Sequence, residues 1–288
     1  TQYELPLGEH GTVTLSSGKK VKLKRIHMEE DPASLVHPAG MRDSAYVLVD
    51  YNRSGSPLVE IVTEPDMASA DEARDFMKRL LSILTYLEIF DPMTCIIKAD
   101  ANVSIRASNY TRVEIKNITG FKEIELALVH EIKRQQQAVS EGHLIHLETR
   151  AWDAEKGVTH SLRKKEAEEE YGYIIDPDLV VTEITDSYLV KQRKALPELA
   201  EQKVEKFVSK YKIKKEDAEI LAAEKQLGEL FERVAHKINA GLAAKWLRRE
   251  LVRVLNFQDK TLLQAKIDEP QLIELLHLIE EKKITEKT

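Results

Sequence analysis

The sequence has 288 residues, 42% of them hydrophobic and 32% charged, with a formal net charge of −6 at neutral pH. That length suffices for two domains with separate cores, and the negative balance excludes a protein that coats nucleic acid through a global positive field, while leaving room for a local basic face. The single cysteine, Cys95, excludes an intrachain disulfide and a cysteine-rich zinc site.

No apolar run approaches the ~20 residues of a membrane span, and no leader with a basic start and apolar middle opens the sequence. The cysteine usage fits a reducing cytosol. Residues 1–26 alternate through Tyr3, Leu5, Leu7, Val13, Leu15, Val21 and Leu23, and Ser16-Ser17-Gly18-Lys19-Lys20 is a hairpin-loop signal. The cations at 19–25 are expected on the solvent face of an antiparallel strand. Because the sequence opens at Thr1 directly into strand-like residues, a preceding portion is expected.

An acidic run, His27-Met28-Glu29-Glu30-Asp31, comes next, and residues 32–44, with Pro32, Pro38 and Gly40, read as loop. Residues 46–51 read as a strand, and Asn52-Arg53-Ser54-Gly55-Ser56-Pro57 turns the chain into a second acidic strand carrying Glu60. Ser69 is the expected N-cap of a helix with Phe76, Leu80, Leu81, Leu84 and Leu87 on one stripe. Cys95 reads as a buried small hydrophobe rather than a reactive thiol. The third acidic strand, 96–106, carries Asp100, with residues 112–118 as its hairpin partner. A helix follows with Phe121, Ile124, Leu128 and Ile132 on one face, then strands at 146–152 and 158–163 across the Glu155-Lys156-Gly157 turn.

Beyond about residue 185 the strand pattern gives way to amphipathic helices over 197–210, 214–224, 226–238, 241–256 and 269–281. The expected fold is therefore α+β: a mostly antiparallel sheet with flanking helices over 1–185, then a small all-α domain over 186–288.

A lone carboxylate on a half-buried strand is costly unless it faces a wet cleft, pairs with a cation or holds a metal. Glu30, Glu60 and Asp100 each sit in such a segment, so they are either solvated surface or the hard oxygen ligands of one Mg²⁺ carrying a nucleotide phosphate. At the other end, Lys245, Arg248, Arg249 and Arg253 fall along one helical flank. That flank is either a solvated face or a row of contacts to nucleic-acid phosphates. Trp246 reads as core rather than a base-stacking residue.

Several ordered strings carry a resemblance: His27-Met28-Glu29-Glu30-Asp31, Asp50-Tyr51-Asn52-Arg53-Ser54-Gly55, Pro57-Leu58-Val59-Glu60-Ile61-Val62-Thr63-Glu64-Pro65-Asp66, Asp100-Ala101-Asn102-Val103-Ser104-Ile105-Arg106 and Val113-Glu114-Ile115-Lys116-Asn117. Glu148-Thr149-Arg150-Ala151-Trp152-Asp153, Tyr171-Gly172-Tyr173, Asp176-Pro177-Asp178-Leu179 and Asp217-Ala218-Glu219-Ile220-Leu221 follow in the same order. With them the chain resembles the B-subunit family of aspartyl/glutamyl-tRNA amidotransferases over nearly its whole length, with the Asp31-Pro32 junction and its loop closest to archaeal members.

The resemblance implies a cradle domain followed by a helical tRNA-contacting domain. It implies ATP-dependent phosphorylation of the side-chain carboxylate of misacylated Glu-tRNA(Gln) or Asp-tRNA(Asn), then amidation with ammonia from glutamine. It implies Mg²⁺ at Glu30, Glu60 and Asp100, and as partners a glutamine amidase (A) subunit, a small C subunit and the misacylated tRNA. Arg106 and Lys116 are candidates for further charge neutralisation at the phosphoryl group, or are surface ion pairs. Full-length relatives carry an earlier Gly-Leu-Glu-Ile-His-like strand, a cysteine zinc knuckle and a C-terminal tail domain. None of these is in this sequence, so a fragment is expected. Two other readings stand beside this one: an E-type subunit acting only on Glu-tRNA(Gln), and a non-catalytic tRNA-binding scaffold.

Overall fold

The computed structural model describes residues 6–38, 44–91, 94–164 and 182–285. The strings Tyr171-Gly172-Tyr173 and Asp176-Pro177-Asp178-Leu179, and the alternation through Tyr3 and Leu5, lie outside them. The fold is α+β, and the chain divides into two compact units. One comprises Thr1–Arg79 with Ile96–Val181, the other Leu80–Cys95 with Thr182–Thr288. The stretch 80–95, which the linear order assigns to the first domain, therefore belongs to the second unit.

The first unit begins with β1 (Gly11–Thr14), β2 (Lys20–Glu30), β3 (Ser34–Val36), β4 (Leu48–Asp50) and β5 (Pro57–Thr63). An antiparallel sheet of order β1-β2-β5 buries Val13, Val21 and Leu23 on one face and leaves Lys20, Lys22 and Lys24 exposed on the other. The expected hairpin between β1 and β2 forms, and Gly18, at φ +84°, takes the left-handed position of its turn. Its tip is anchored: the Ser16 backbone N–H and hydroxyl both donate to Asp75, at 2.6 and 2.7 Å. The loop expected over 32–44 contains a strand. Ser34, Leu35 and Val36, between two prolines, are extended enough to pair with Asp50, Val49 and Leu48 as a separate ribbon. Helix α1 (Ala70–Tyr86) starts where the cap signal places it, with Ser69 Oγ accepting from the Glu72 N–H at 3.2 Å.

A second sheet is built from β6 (Lys98–Val103), β7 (Val113–Thr119), β8 (Glu148–Asp153) and β9 (Val158–Lys164), in that order. Outer pairs are antiparallel, but β7 and β8 run parallel because α2 (Phe121–Ser140) carries the chain back between them. Val113, Ile115 and Ile118 pack in this unit's core with Ile124 and Ala127. The face of α2 differs from the apolar stripe expected through Phe121, Leu128 and Ile132: its buried line is Ile124, Ala127, Glu131 and Gln135.

The reason is a charged network that no apolar periodicity registers. Glu131 is 0% exposed. Arg134 grips it through Nη2 at 2.6 Å and Nε at 2.9 Å, Gln135 Nε2 donates at 3.0 Å and Thr159 Oγ1 at 3.0 Å. Arg150 donates to Thr159 Oγ1 at 2.9 Å and to Glu148 at 3.0 Å, and Ser161 Oγ donates to Glu148 at 2.7 Å. Burial pushes the Glu131 pKa up, but the donors from Arg134 and Gln135 outweigh it and hold the carboxyl below its ordinary value.

In the second unit α3 (Asp186–Ala195), α4 (Ala200–Tyr211), α5 (Lys215–Ala223) and α6 (Lys225–Ala235) lead into α7 (Ala240–Trp246), a π-helical turn (Leu247–Leu251) and α8 (Val252–Phe257). Two more, α9 (Leu262–Ala265) and α10 (Glu269–Glu280), complete it. Phe207, Leu221, Phe231, Val234, Leu247 and Leu276 are the centre of its core, with the Phe207 and Phe231 rings edge-on at 4.8 Å. Trp246 packs partly buried against that core, as expected. Tyr86, 1% exposed, donates its hydroxyl to the Ala222 carbonyl at 2.9 Å. Gly228 admits this packing, since a Cβ there would sit 3.4 Å from the Tyr86 hydroxyl and 3.3 Å from the Leu221 carbonyl.

Removing the charge from Glu131 leaves Arg134 without its bidentate partner. Glu131→Gln is expected to cost about 3 kcal/mol at neutral pH, measured by urea denaturation. Because the folded pKa is depressed, the stability Glu131 lends is complete above its unfolded value of about 4.3 and is lost as pH falls through the lower folded value. Wild-type stability should therefore fall more steeply with acid than that of E131Q; parallel profiles would contradict this.

Candidate functional site

The four-stranded sheet has two unlike faces, because successive strand residues alternate. One face meets α2 through Val113, Ile115, Glu148, Arg150 and Trp152, whose indole N–H donates to Glu123 at 2.8 Å. The other is polar. Glu114, Lys116, Asp100 and Thr149 lie there together, from three neighbouring strands. Lys116 Nζ is 2.8 Å from Asp100 Oδ2 and 3.3 Å from Glu114 Oε1, and Thr149 Oγ1 donates to Glu114 Oε2 at 3.0 Å. Partial burial works against the charge on Lys116, but Asp100 and then Glu114 more than offset it and hold the ammonium above the ordinary lysine pKa. Lys116 is thereby an ammonium donor of fixed position on a firm sheet, in a cluster whose one cation and two carboxylates sum to a net charge of −1. Neither Glu114 nor Thr149 was singled out in the sequence; the signal was there in the Val113-Glu114-Ile115-Lys116 alternation, which puts both polar residues on one face.

Glu30, Glu60 and Asp100 are not brought together. Register decides it: Glu60 stands opposite His27, and Glu30 stands opposite Pro57. Residues opposite each other share a face, so Glu60 shares one with His27, Arg25 and Glu29, whereas Glu30 projects from the other side. Arg25 makes an ion pair with Glu60 at 3.4 Å. Glu29 lies diagonally across from Glu60, a spacing of about 7–8 Å that long side chains bridge, and His27 between them is 4% exposed. Asp100 lies in the other sheet, bound to Lys116. Among the described residues no group of three or more His, Cys, Asp or Glu side chains could hold a metal ion. Glu30, Glu60 and Asp100 therefore do not form the one shared cluster expected of them.

Other expectations shift in position. Arg106 is exposed and leaves the strand for a 3₁₀ turn, Arg106–Ser108, three residues past the end of β6. It is not gathered into the Lys116 cluster. Cys95 is exposed rather than buried, because it closes a turn around Asp91 ahead of β6, with its N–H donating to the Asp91 carbonyl at 2.7 Å. The basic flank is interrupted. The π-helical turn at Leu247–Leu251, where the Val252 N–H donates to the Leu247 carbonyl five residues back, breaks the 3.6-residue spacing, and Arg248 turns inward to an ion pair with Asp217 on α5. Arg253 pairs with Glu250 at 2.9 Å, Lys245 is half-buried, and Arg249 is exposed.

Residues 1–190 match the GatB/GatE catalytic domain, and residues 229–288 match the GatB domain. The chain belongs to the GatB/GatE family. It is similar to proteins named as the B subunit of aspartyl/glutamyl-tRNA(Asn/Gln) amidotransferase. That of Thermodesulfovibrio yellowstonii is 40% identical over 299 residues, covering 100% of this chain and 62% of that protein. Those of Sulfurisphaera tokodaii and Haloquadratum walsbyi are 42% and 38% identical, each again covering 100% of this chain and 62% and 61% of those proteins. The chain thus spans about three fifths of the length of the curated relatives it matches. Within the GatB/GatE catalytic domain match fall the polar sheet face and both acidic strands.

The inward pairing of Arg248 makes a prediction about folding rather than binding. Arg248→Glu, which opposes like charges at a partly buried site, should destabilise the chain by about 2–4 kcal/mol, read from the urea midpoint. Arg249→Glu should move it by less than about 0.5 kcal/mol. Equal effects of the two would show that the Arg248–Asp217 pair does not hold the helices.

Proposed function

We propose that the longer protein to which this sequence corresponds activates the side-chain carboxylate of a misacylated tRNA for amidation. A carboxylate oxygen of tRNA-bound glutamate or aspartate attacks the γ-phosphorus of ATP, and ADP leaves. Ammonia then attacks the resulting acyl carbon, phosphate leaves, and the product is the amide on the same tRNA. The ammonia comes from glutamine through an amidase subunit, with a small third subunit in the assembly, and the reaction belongs to the cytoplasm. What supports this is the match of residues 1–190 to the GatB/GatE catalytic domain and the names its relatives carry. The observation that carries the chemistry is Lys116, held between Asp100 and Glu114 on that domain's polar sheet face. Two anions must meet before any bond forms, and an ammonium fixed by two carboxylates lowers that barrier by donating its third N–H to a phosphoryl oxygen.

The face shared by Glu60 and His27 is the second part of the site, with Glu29 rather than Glu30 as the carboxylate beside them. On this reading Arg249, which is exposed, and Lys245, half-buried on the same helical stretch, contact tRNA phosphates and fix position without reading bases. Among the described residues no helix is long and apolar enough to cross a membrane.

The test uses the full-length subunit in its complex, following ADP formation from ATP with Glu-tRNA(Gln) and with Asp-tRNA(Asn). Lys116→Met is expected to lower the rate by about 10²–10³. Glu60→Gln and Glu29→Gln should each lower it more than Glu30→Gln does. An undiminished rate for Lys116→Met would remove the catalytic reading and leave a tRNA-binding scaffold.

A further inference from the structure

We propose that Thr149 is a positioning residue for Lys116, acting through Glu114; this rests on the reading of Lys116 given above. Thr149 is 2% exposed. A hydroxyl that deep needs a partner, and it finds one in Glu114 Oε2 at 3.0 Å. The parallel pairing of β7 with β8 puts Glu114 and Thr149 directly side by side. With Oε2 engaged, Glu114 presents Oε1 to Lys116 Nζ at 3.3 Å, and the ammonium meets Asp100 at 2.8 Å on its other side.

Thr149 is itself firmly placed. Its neighbours in sequence, Glu148 and Arg150, project from the opposite face of β8 into the network beneath α2, where Arg150 Nη2 also donates to the Thr159 carbonyl at 2.7 Å. A flexible glutamate is thus pinned at one oxygen by a residue that cannot move, and the lysine is aimed by the other oxygen. Without the threonine hydroxyl Glu114 keeps its charge and loses its fixed orientation, so Lys116 keeps its charge and loses its aim. The effect belongs in turnover rather than in substrate affinity, because nothing that binds substrate is removed.

The experiment measures ADP formation by the full-length complex with ATP and Glu-tRNA(Gln) for four variants. Thr149→Val, equal in shape but lacking the donor, should lower kcat by about tenfold while KM for ATP stays within about twofold. Thr149→Ser should restore kcat, and the urea midpoints of the two should agree. Adding Thr149→Val to Lys116→Met should cause no further loss. If Lys116→Met is impaired and Thr149→Val turns over like wild type, the positioning role is overturned and the reading of Lys116 survives. If Thr149→Val and Thr149→Ser are equally slow, Thr149 acts through packing alone and the proposal fails. If Lys116→Met turns over like wild type, both fall together.

Discussion

A carboxylate with no contact with water stays charged only when cations and donors surround it, and Glu131 is such a group. Its partners come from α2 itself and from β9, and Arg150 and Glu148 extend the set into β8. One anion thereby ties a helix to two strands that follow it in sequence. The parallel pairing of β7 and β8 depends on the helix between them lying in one place. Everything on the polar side of the sheet inherits that placement, since the residues facing Asp100 and Lys116 alternate with residues locked into the network.

This arrangement divides labour between the two faces of one strand. Glu148, Arg150 and Trp152 hold β8 to α2, while Thr149 and Ala151 look the other way. A site built on such a strand has rigid support, whereas a site on a loop must supply its own. The contrast with β3 and β4 is instructive. That ribbon has three residues a side, and Leu35, Val36, Leu48 and Val49 are all exposed on it.

Much of the framework was legible in the sequence because its signals are local. Ser69 announced a cap, Gly18 a turn, and the alternation on either side of residues 107–111 a hairpin. Features that failed to show required a partner remote in sequence. The stripe of α2 was misplaced because Glu131 and Gln135 count as surface residues until Arg150 and Thr159 are known to cover them. Arg248 read as part of a basic flank because Asp217, thirty-one residues earlier, is invisible to helical spacing. Glu30 and Glu60 illustrate another limit: strings rich in carboxylates name the residue types a site needs, but strand parity decides which of two adjacent glutamates shares a face with a third. Pairing Glu60 with His27 gives that face to Glu29.

The stretch Leu80–Cys95 has a consequence for anyone cutting this polypeptide. It precedes the second sheet in sequence and belongs with the helices that come after that sheet. Tyr86 fills the space that Gly228 leaves open and caps the Ala222 carbonyl, and Glu88 reaches Lys225 at 2.5 Å. A recombinant helical module begun at residue 182 would carry an empty slot where a phenol ring belongs, and a clone ended at residue 181 would carry a plug with no socket. The gene has no single breakpoint at which both halves are whole.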